Sequence, residues 1–373
     1  MKYILIIGAG RVGLTIAKDL LKNHNVILCD TSVSKLTEIG YQFKDEVSSN
    51  KLLLFEYSAR NYEICMNTKD VSLVVCAVPG HVGFELLKKV IKSGKNIVDI
   101  SFFPENPFLL NELALEHNVT VCVDCGVAPG LDNMIAGYMT TKYKVNKFEC
   151  LVGGLPQDQK YPGYYKAPFS PIDVIQEYIR PVYYKQDNII CVDEPLNDLS
   201  IVTFDGEHSY IPLESFSTDG LRTLINTLDI PNMIEKTLRY PGHIKFIKQL
   251  RDAGFFKREH IEFTSDVLIN SWQFEPDEKD VTFFRTTVEV TDNQNTTFNV
   301  VYEFIDKADT EGNSSMSRTT GYTCTAVVEA FLQGKITQKG ILAPEQVAQI
   351  PDVFPFVLDY LYAHNIPILV KQR

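Results

Sequence analysis

The chain has 373 residues, 45% hydrophobic and 22% charged, with 36 basic against 47 acidic side chains for a formal charge of −11. That length suits two domains, or one domain with a large insertion, and the acidic balance argues against a nucleic-acid or anionic-membrane partner. The apolar run at Ile4 is too short for a signal peptide and breaks at Gly8, and no run approaches the ~18 apolar residues of a transmembrane helix, so a cytoplasmic protein is expected.

In chain order, Tyr3–Ile7 is a short β-rich apolar run that predicts a buried parallel strand. Gly8-Ala9-Gly10-Arg11-Val12-Gly13 follows, and Val12, Ile16 and Leu20 then recur at helical spacing. In this G-x-G-x-x-G pattern Gly8 allows the tight turn, Gly10 lets backbone approach a pyrophosphate, and Gly13 lets the helix pack on the strand. Arg11 and Val12 lie in the same turn. The phosphates would sit on the free N–H groups and positive dipole end of the helix. A second strand, Asn25–Cys29, ends in Asp30, about 20 residues after the first glycines, where an acid accepts the adenosine ribose 2′-OH and repels a 2′-phosphate. No Arg follows in residues 31–34, so the expected cofactor is NAD rather than NADP.

Helices are expected over 33–39 and 61–66, and strands over 52–55 and 72–77. Val78-Pro79-Gly80-His81 then closes the fourth strand, making Ala77, Val78 and Pro79 candidate cofactor contacts. A helix over 82–93, a strand over 96–100, a helix over 107–116 and a strand over 119–124 complete six strands alternating with helices. That alternation, without hairpin signals, predicts an α/β fold with a Rossmann-type doubly wound parallel sheet. Its ligand crevice lies beyond the carboxyl ends of the strands, gathering Gly8–Gly13, Asp30, Ala77–Gly80, Ser101 and Asp124–Gly126. Asp124-Cys125-Gly126-Val127-Ala128-Pro129-Gly130 reads as a rigid loop before a helix from Asp132. It is a domain crossover, a loop under the nicotinamide ring, or both. Cys122 and Cys125 have C-x-x-C spacing without a second pair, and on a strand they point to opposite faces, so no metal is expected.

From Lys147 the pattern changes. A strand over 148–152 runs into Gly153-Gly154-Leu155-Pro156, tyrosines and prolines cluster between 161 and 184, and Val281–Val290 faces Thr296–Ile305 across a polar turn as an antiparallel hairpin. Strands and helices without βαβ alternation predict an inserted α+β domain. The tail from Thr319 is read as helical, with apolar stripes at Ala326–Phe331 and Phe356–Leu361 that pack back onto the first domain. The expected division is residues 1–128 plus 320–373 for the dinucleotide-binding domain and 129–319 for the inserted one.

At this point the chain resembles the saccharopine dehydrogenase-like family along nearly its whole length. The resemblance rests on the Gly8–Gly13 fingerprint, Asp124–Gly130, Val152–Pro156, Asp173–Pro181, Thr218–Leu224, Arg239–His243 and Met316–Tyr322, in that order. Ala128, where saccharopine reductases generally carry an aspartate before the Pro-Gly, is similar to the lysine dehydrogenase branch. The resemblance implies that the middle domain binds substrate and makes a homodimer or higher homo-oligomer. It also implies NAD-dependent oxidation of the ε-amine of L-lysine to the 6-semialdehyde, with release of ammonia.

Hydride leaves a carbon bearing an amine only when the nitrogen lone pair is free. A lysine amine has pKa ~10.4, so the site needs a base or a dry environment. His243, after a Tyr-Pro-Gly turn, is the first choice, Tyr240 the second and Asp124 the third; the alternative is that His243 packs or caps a helix start. The substrate carboxylate asks for an arginine fork, from Arg222 or Arg239, and its ammonium for a carboxylate, nearest in Asp219. Gly153 and Gly154 let backbone approach substrate or cofactor, or else make a strand-end turn. Two other readings stay open: an enzyme of the same family working on a secondary amine, and an NAD-binding regulator without turnover.

Overall fold

The computed structural model describes residues 2–56, 70–169, 171–205, 210–275 and 278–373. They fall into two units: Met1–Met134 with Ser317–His364, and Ile135–Met316 with Asn365–Arg373. The helix expected over 61–66 lies outside the described residues.

In the first unit, strands β1 (Lys2–Ile7), β2 (Asn25–Asp30), β3 (Leu52–Glu56), β4 (Asp70–Cys76), β5 (Ile97–Asp99), β6 (Thr120–Cys122) and β15 (Gly340–Leu342) form one parallel sheet in the order β15-β6-β5-β4-β1-β2-β3. Parallel neighbours need crossover connections. Among these are helices α1 (Arg11–Leu20), α2 (Val33–Gln42), α3 (Lys44–Ser48), α4 (Gly80–Lys92) and α5 (Asn111–Glu116). β1 is buried from Tyr3 to Ile7 because it has a strand on either side. The core packs Leu5, Ile7, Ile27, Val74 and Val121 against Leu87, Val90 and Ile91 of α4.

The tail supplies a seventh strand, β15, besides helices α12 (Pro344–Gln349) and α13 (Val353–Ala363). Three residues are too short to show a two-residue period. β15 forms because β6 offers a free edge and because Asn111 Oδ1 accepts the Ile341 N–H at 3.0 Å. No helix among the described residues is long and apolar enough to cross a membrane.

The chain passes from unit to unit inside α6 (Leu131–Thr140) and again inside α11 (Ser315–Leu332). The second unit is built on a mixed sheet of nine strands. Its main path is β10 (Ser200–Asp205), β11 (Tyr210–Ser217), β12 (Asn232–Arg239), β7 (Lys144–Pro156), β13 (Asp280–Thr291), β14 (Thr297–Lys307) and β16 (Leu369–Gln372). A hairpin of β8 (Val182–Gln186) and β9 (Ile189–Asp193) pairs with β12 beside this path.

The expected hairpin is the β13–β14 pair, with Thr291 opposite Thr297; Asp292 Oδ1 accepts the Gln294 and Thr296 N–H groups to close the turn. Residues 365–373, which the sequence reading keeps with the nucleotide-binding domain, cluster instead with the second unit because β16 pairs with β14. One face of the sheet is covered by α7 (Pro171–Glu177), α9 (His243–Asp252) and α10 (Ile261–Ser271), around Val174, Tyr178, Phe216, Ile244 and Phe283. A short helix, α8 (Leu224–Thr227), precedes β12.

Candidate functional site

The turn after β1 is shaped by close backbone approach. Gly8 has φ +108°, and a Cβ there would lie 2.2 Å from the Ala77 carbonyl oxygen; a Cβ on Gly13 would lie 1.9 Å from that of Gly8. Gly10 is different in kind, for nothing lies within 4 Å of where its Cβ would be. The turn therefore needs Gly8 and Gly13 to close, and Gly10 leaves an open approach to the start of α1. No side chain caps that helix, and the N-terminus of a helix suits an anion. This cradle fits the pyrophosphate of a dinucleotide.

Asp30, at the end of β2, is held against the same turn. Its Oδ2 accepts the Ala9 N–H at 2.7 Å and its Oδ1 accepts the Ser32 N–H at 2.9 Å. Oδ2 also accepts from Lys35 Nζ at 3.5 Å, and Oδ1 keeps lone-pair capacity for a ribose hydroxyl. Ala77, Val78 and Pro79 form the turn from β4 into α4, whose start packs so closely that a Cβ on Gly80 would lie 1.9 Å from the Phe102 carbonyl oxygen. Asp124 follows the end of β6, buried, with φ +52°. Beyond it, Gly126 and Gly130 close a loop containing a cis Ala128–Pro129 bond, with the Gly126 N–H on the Pro129 carbonyl at 3.1 Å. The Gly130 N–H is shared by Asp132 Oδ1 at 2.9 Å and Asn133 Oδ1 at 3.0 Å. Burial pushes the Asp132 carboxyl up to about 7, and nearby Glu345 acts in the same direction.

In the second unit the remaining candidates meet around Arg239, which is 1% exposed at the end of β12. Its Nη2 donates to Glu177 Oε2 at 2.7 Å and its Nε to the Tyr178 hydroxyl at 3.1 Å, with the guanidinium 4.5 Å from the centre of the Tyr165 ring. His243 opens α9. Its Nδ1 faces the Gly163 carbonyl at 3.2 Å and its Nε2 the Tyr178 hydroxyl at 2.9 Å. A carbonyl can only accept, so Nδ1 carries the hydrogen and Nε2 accepts from Tyr178. Burial, and then the Arg239 charge, push this imidazole down to about 3. Both ring nitrogens are thus occupied by protein groups, the helix-start packing that the sequence reading holds as the alternative to a base.

Tyr240 donates to the Pro156 carbonyl at 2.8 Å, and burial pushes it up to about 12. Asp219 lies 3.9 Å from Arg180. Burial raises its carboxyl, while Arg180 and Arg222 lower it. Burial likewise raises Glu177, against the pull of Arg239, and the Asp219 charge adds to the rise. Arg239, Asp219 and Arg222 therefore belong to one charged neighbourhood, in which Arg222 holds φ +51°. Gly153 and Gly154 have a different role from the expected one. They lie inside β7 rather than in a strand-end turn, where a Cβ would strike Leu238 at 2.6 Å or Pro168 at 2.5 Å, so protein and not ligand packs on them.

Glu177, Tyr178, Arg180 and Asp132 were not expected as site residues. The first three stand in the Asp173–Pro181 block that carries the resemblance, and a Glu-Tyr-x-Arg run at a helix end was the available signal. Among the described residues no group of three or more His, Cys, Asp or Glu is placed to hold a metal.

Two family models match this chain: the saccharopine dehydrogenase NADP binding domain over residues 4–123, and the saccharopine dehydrogenase C-terminal domain over residues 126–366. The chain belongs to the saccharopine dehydrogenase family. Residues 4–123, which carry the glycine cradle, are that family's pyridine-nucleotide-binding domain. Among relatives in the saccharopine dehydrogenase family, the mitochondrial alpha-aminoadipic semialdehyde synthase of Mus musculus is 23% identical over 269 residues, covering 69% of this chain and 29% of that protein. The NADP(+), L-glutamate-forming saccharopine dehydrogenase of Saccharomyces cerevisiae is 22% identical over 277 residues, covering 71% of this chain and 60% of that protein. The chain thus spans under a third of the first of these relatives and under two thirds of the second. The structure of apo saccharopine dehydrogenase (L-Glu forming) from Saccharomyces cerevisiae superposes with a TM-score of 0.79 over the whole of both chains at 18% identity, which shows a shared fold.

Proposed function

We propose that the chain is an NAD-dependent amine dehydrogenase of lysine 6-dehydrogenase type. It would oxidise the ε-amine of L-lysine, consume water, and release ammonia, NADH and the 6-semialdehyde, which cyclises to a piperideine carboxylate. The observation that carries this reading is the Gly8–Gly13 cradle with Asp30 turned onto it. Bound there, a nicotinamide nucleotide supplies a hydride acceptor. The α1 N-terminus would hold its pyrophosphate and Asp30 its ribose hydroxyls. Ala128, which puts a methyl group in the loop where saccharopine reductases carry an aspartate, supports a primary over a secondary amine.

The charged neighbourhood of Asp219, Arg180 and Arg222 suits an amino-acid zwitterion, carboxylate on arginine and ammonium on aspartate. Arg239 serves it indirectly, since Glu177 already balances its charge. Of the three candidate bases, Asp124 fits best. It stands just past the carboxyl end of β6, where ligands of parallel sheets bind. His243 then acts as a positioning residue, holding Tyr178 and through it Arg239.

A second reading, oxidation of a secondary amine, is favoured by the names of the saccharopine dehydrogenases to which the chain is similar. The deciding experiment offers L-lysine and saccharopine separately to purified protein with NAD or NADP, following reduced nucleotide, ammonia and glutamate. Lysine giving NADH with stoichiometric ammonia supports the first reading, and saccharopine giving glutamate without ammonia supports the second. Binding of NAD with no turnover of any amine would leave a regulator.

A further inference from the structure

We propose that Lys35 is a specificity-determining residue of the nucleotide site, giving this chain measurable affinity for the 2′-phosphorylated cofactor in spite of Asp30. The inference rests on reading the Gly8–Gly13 turn as a pyridine-nucleotide cradle. An acid at the end of β2 accepts the ribose 2′-hydroxyl and repels a phosphate in its place. Here that acid is not alone. The Lys35 ammonium lies 3.5 Å from Asp30 Oδ2. The same turn of chain carries two hydroxyls, Ser32 Oγ and Ser34 Oγ, 3.1 Å apart, and Ser32 Oγ also accepts the Lys35 backbone N–H at 3.4 Å.

The two partners differ in freedom. Asp30 is pinned by the Ala9 and Ser32 N–H groups, and its side chain is 12% exposed, so it cannot turn away from an incoming phosphate. The Lys35 side chain is 44% exposed and ends a flexible four-carbon stem. With a 2′-hydroxyl present, Lys35 stays on Asp30 and the carboxylate takes the ribose. With a 2′-phosphate present, the ammonium swings a short distance onto it and the serine hydroxyls donate to it, offsetting the repulsion from Asp30. Discrimination between the two nucleotides is therefore graded, with NAD ahead and NADP accepted.

The test is calorimetric titration of the full chain with NAD and with NADP, for wild type, Lys35→Ala and Lys35→Arg, with thermal melting to confirm folding. Lys35→Ala is expected to weaken NADP by about tenfold, the size of one lost charge-assisted hydrogen bond, while NAD changes less than about twofold. Lys35→Arg should restore NADP binding, and the salt dependence of NADP affinity should be shallower in Lys35→Ala. The inference is overturned if Lys35→Ala weakens both nucleotides equally, if it changes neither, or if wild type binds NAD but no NADP at millimolar concentration. Wild type binding neither nucleotide would remove the cradle reading itself, and the inference with it.

Discussion

Asp132 is fully buried in the first turn of α6, where its Oδ1 accepts the Gly130 N–H and pins the Gly126–Gly130 loop. Its Oδ2 has no hydrogen-bond partner among the described residues. Burial, with Glu345 adding to it, lifts the carboxyl from 3.8 to about 7. A folded-state pKa above the unfolded one means that the contribution is fully present below pH 4 and lost as pH rises through 7. Asp132→Asn keeps an acceptor for Gly130 and removes the ionisation. Its stability relative to wild type is expected to rise by on the order of 3 kcal/mol between pH 4 and pH 8, measured by chemical denaturation. Parallel curves for the two proteins would mean that Asp132 ionises freely in the folded state. His243 makes the same point about single residues. An imidazole after Tyr-Pro-Gly looks like a base in one dimension, but its partners Tyr178 and Gly163 stand 65 and 80 positions away.

At the scale of elements, the tail helix α13 is fastened to α1 through one carboxylate. Asp19 Oδ2 accepts from the Tyr360 hydroxyl at 2.7 Å, and its Oδ1 lies 2.8 Å from His364 Nε2 and 3.0 Å from Lys22 Nζ. The Asp19 side chain is 2% exposed, so burial raises its pKa, but these partners outweigh burial and bring it from 3.8 down to about 2. A lowered pKa gives stability that is present above pH 4 and lost as pH falls toward 2. Asp19→Asn should destabilise the protein by about 2 kcal/mol at pH 7, and the gap from wild type should close between pH 4 and pH 2. A gap that stays constant down to pH 2 would show that charge has no part in the fastening. The tail was expected to return to the first domain on the strength of its apolar stripes. Ala326, Val327, Val357 and Leu361 are buried, and the Asp19 contacts and the β15 pairing with β6 are polar contacts that no stripe reveals.

At the scale of the molecule, each unit carries its own sheet and its own core. The proposed partner is a second copy of the chain. On the second unit, Ile189 is 66% exposed, Val192 58% and Ile201 62%, all on β9 and β10 away from the centre of the sheet. Apolar surface of this kind is what an oligomer covers. Light scattering after gel filtration should give a dimer or higher species for wild type, and Ile189→Lys with Ile201→Lys should shift it to monomer without lowering the melting temperature of the dilute protein. A wild-type monomer at tens of micromolar would end the proposal.

The nucleotide cradle, the alternating strands of the first unit, the β13–β14 hairpin and the acid at Asp30 were all readable without coordinates. Each is a short-range signal: glycine spacing, a two-residue or 3.6-residue period, or a residue at a fixed offset from a motif. Tertiary structure alone decided the rest. It moved Gly153 and Gly154 from ligand contact to packing, occupied both nitrogens of His243, and paired Arg239 with Glu177 across 62 positions. It also recruited β15 and β16 from a tail that reads as helix. The physical reason is the same in every case. A hydrogen bond, an ion pair or a sheet edge takes its partner from wherever the fold brings one, and pairing over long separations leaves no period in the chain.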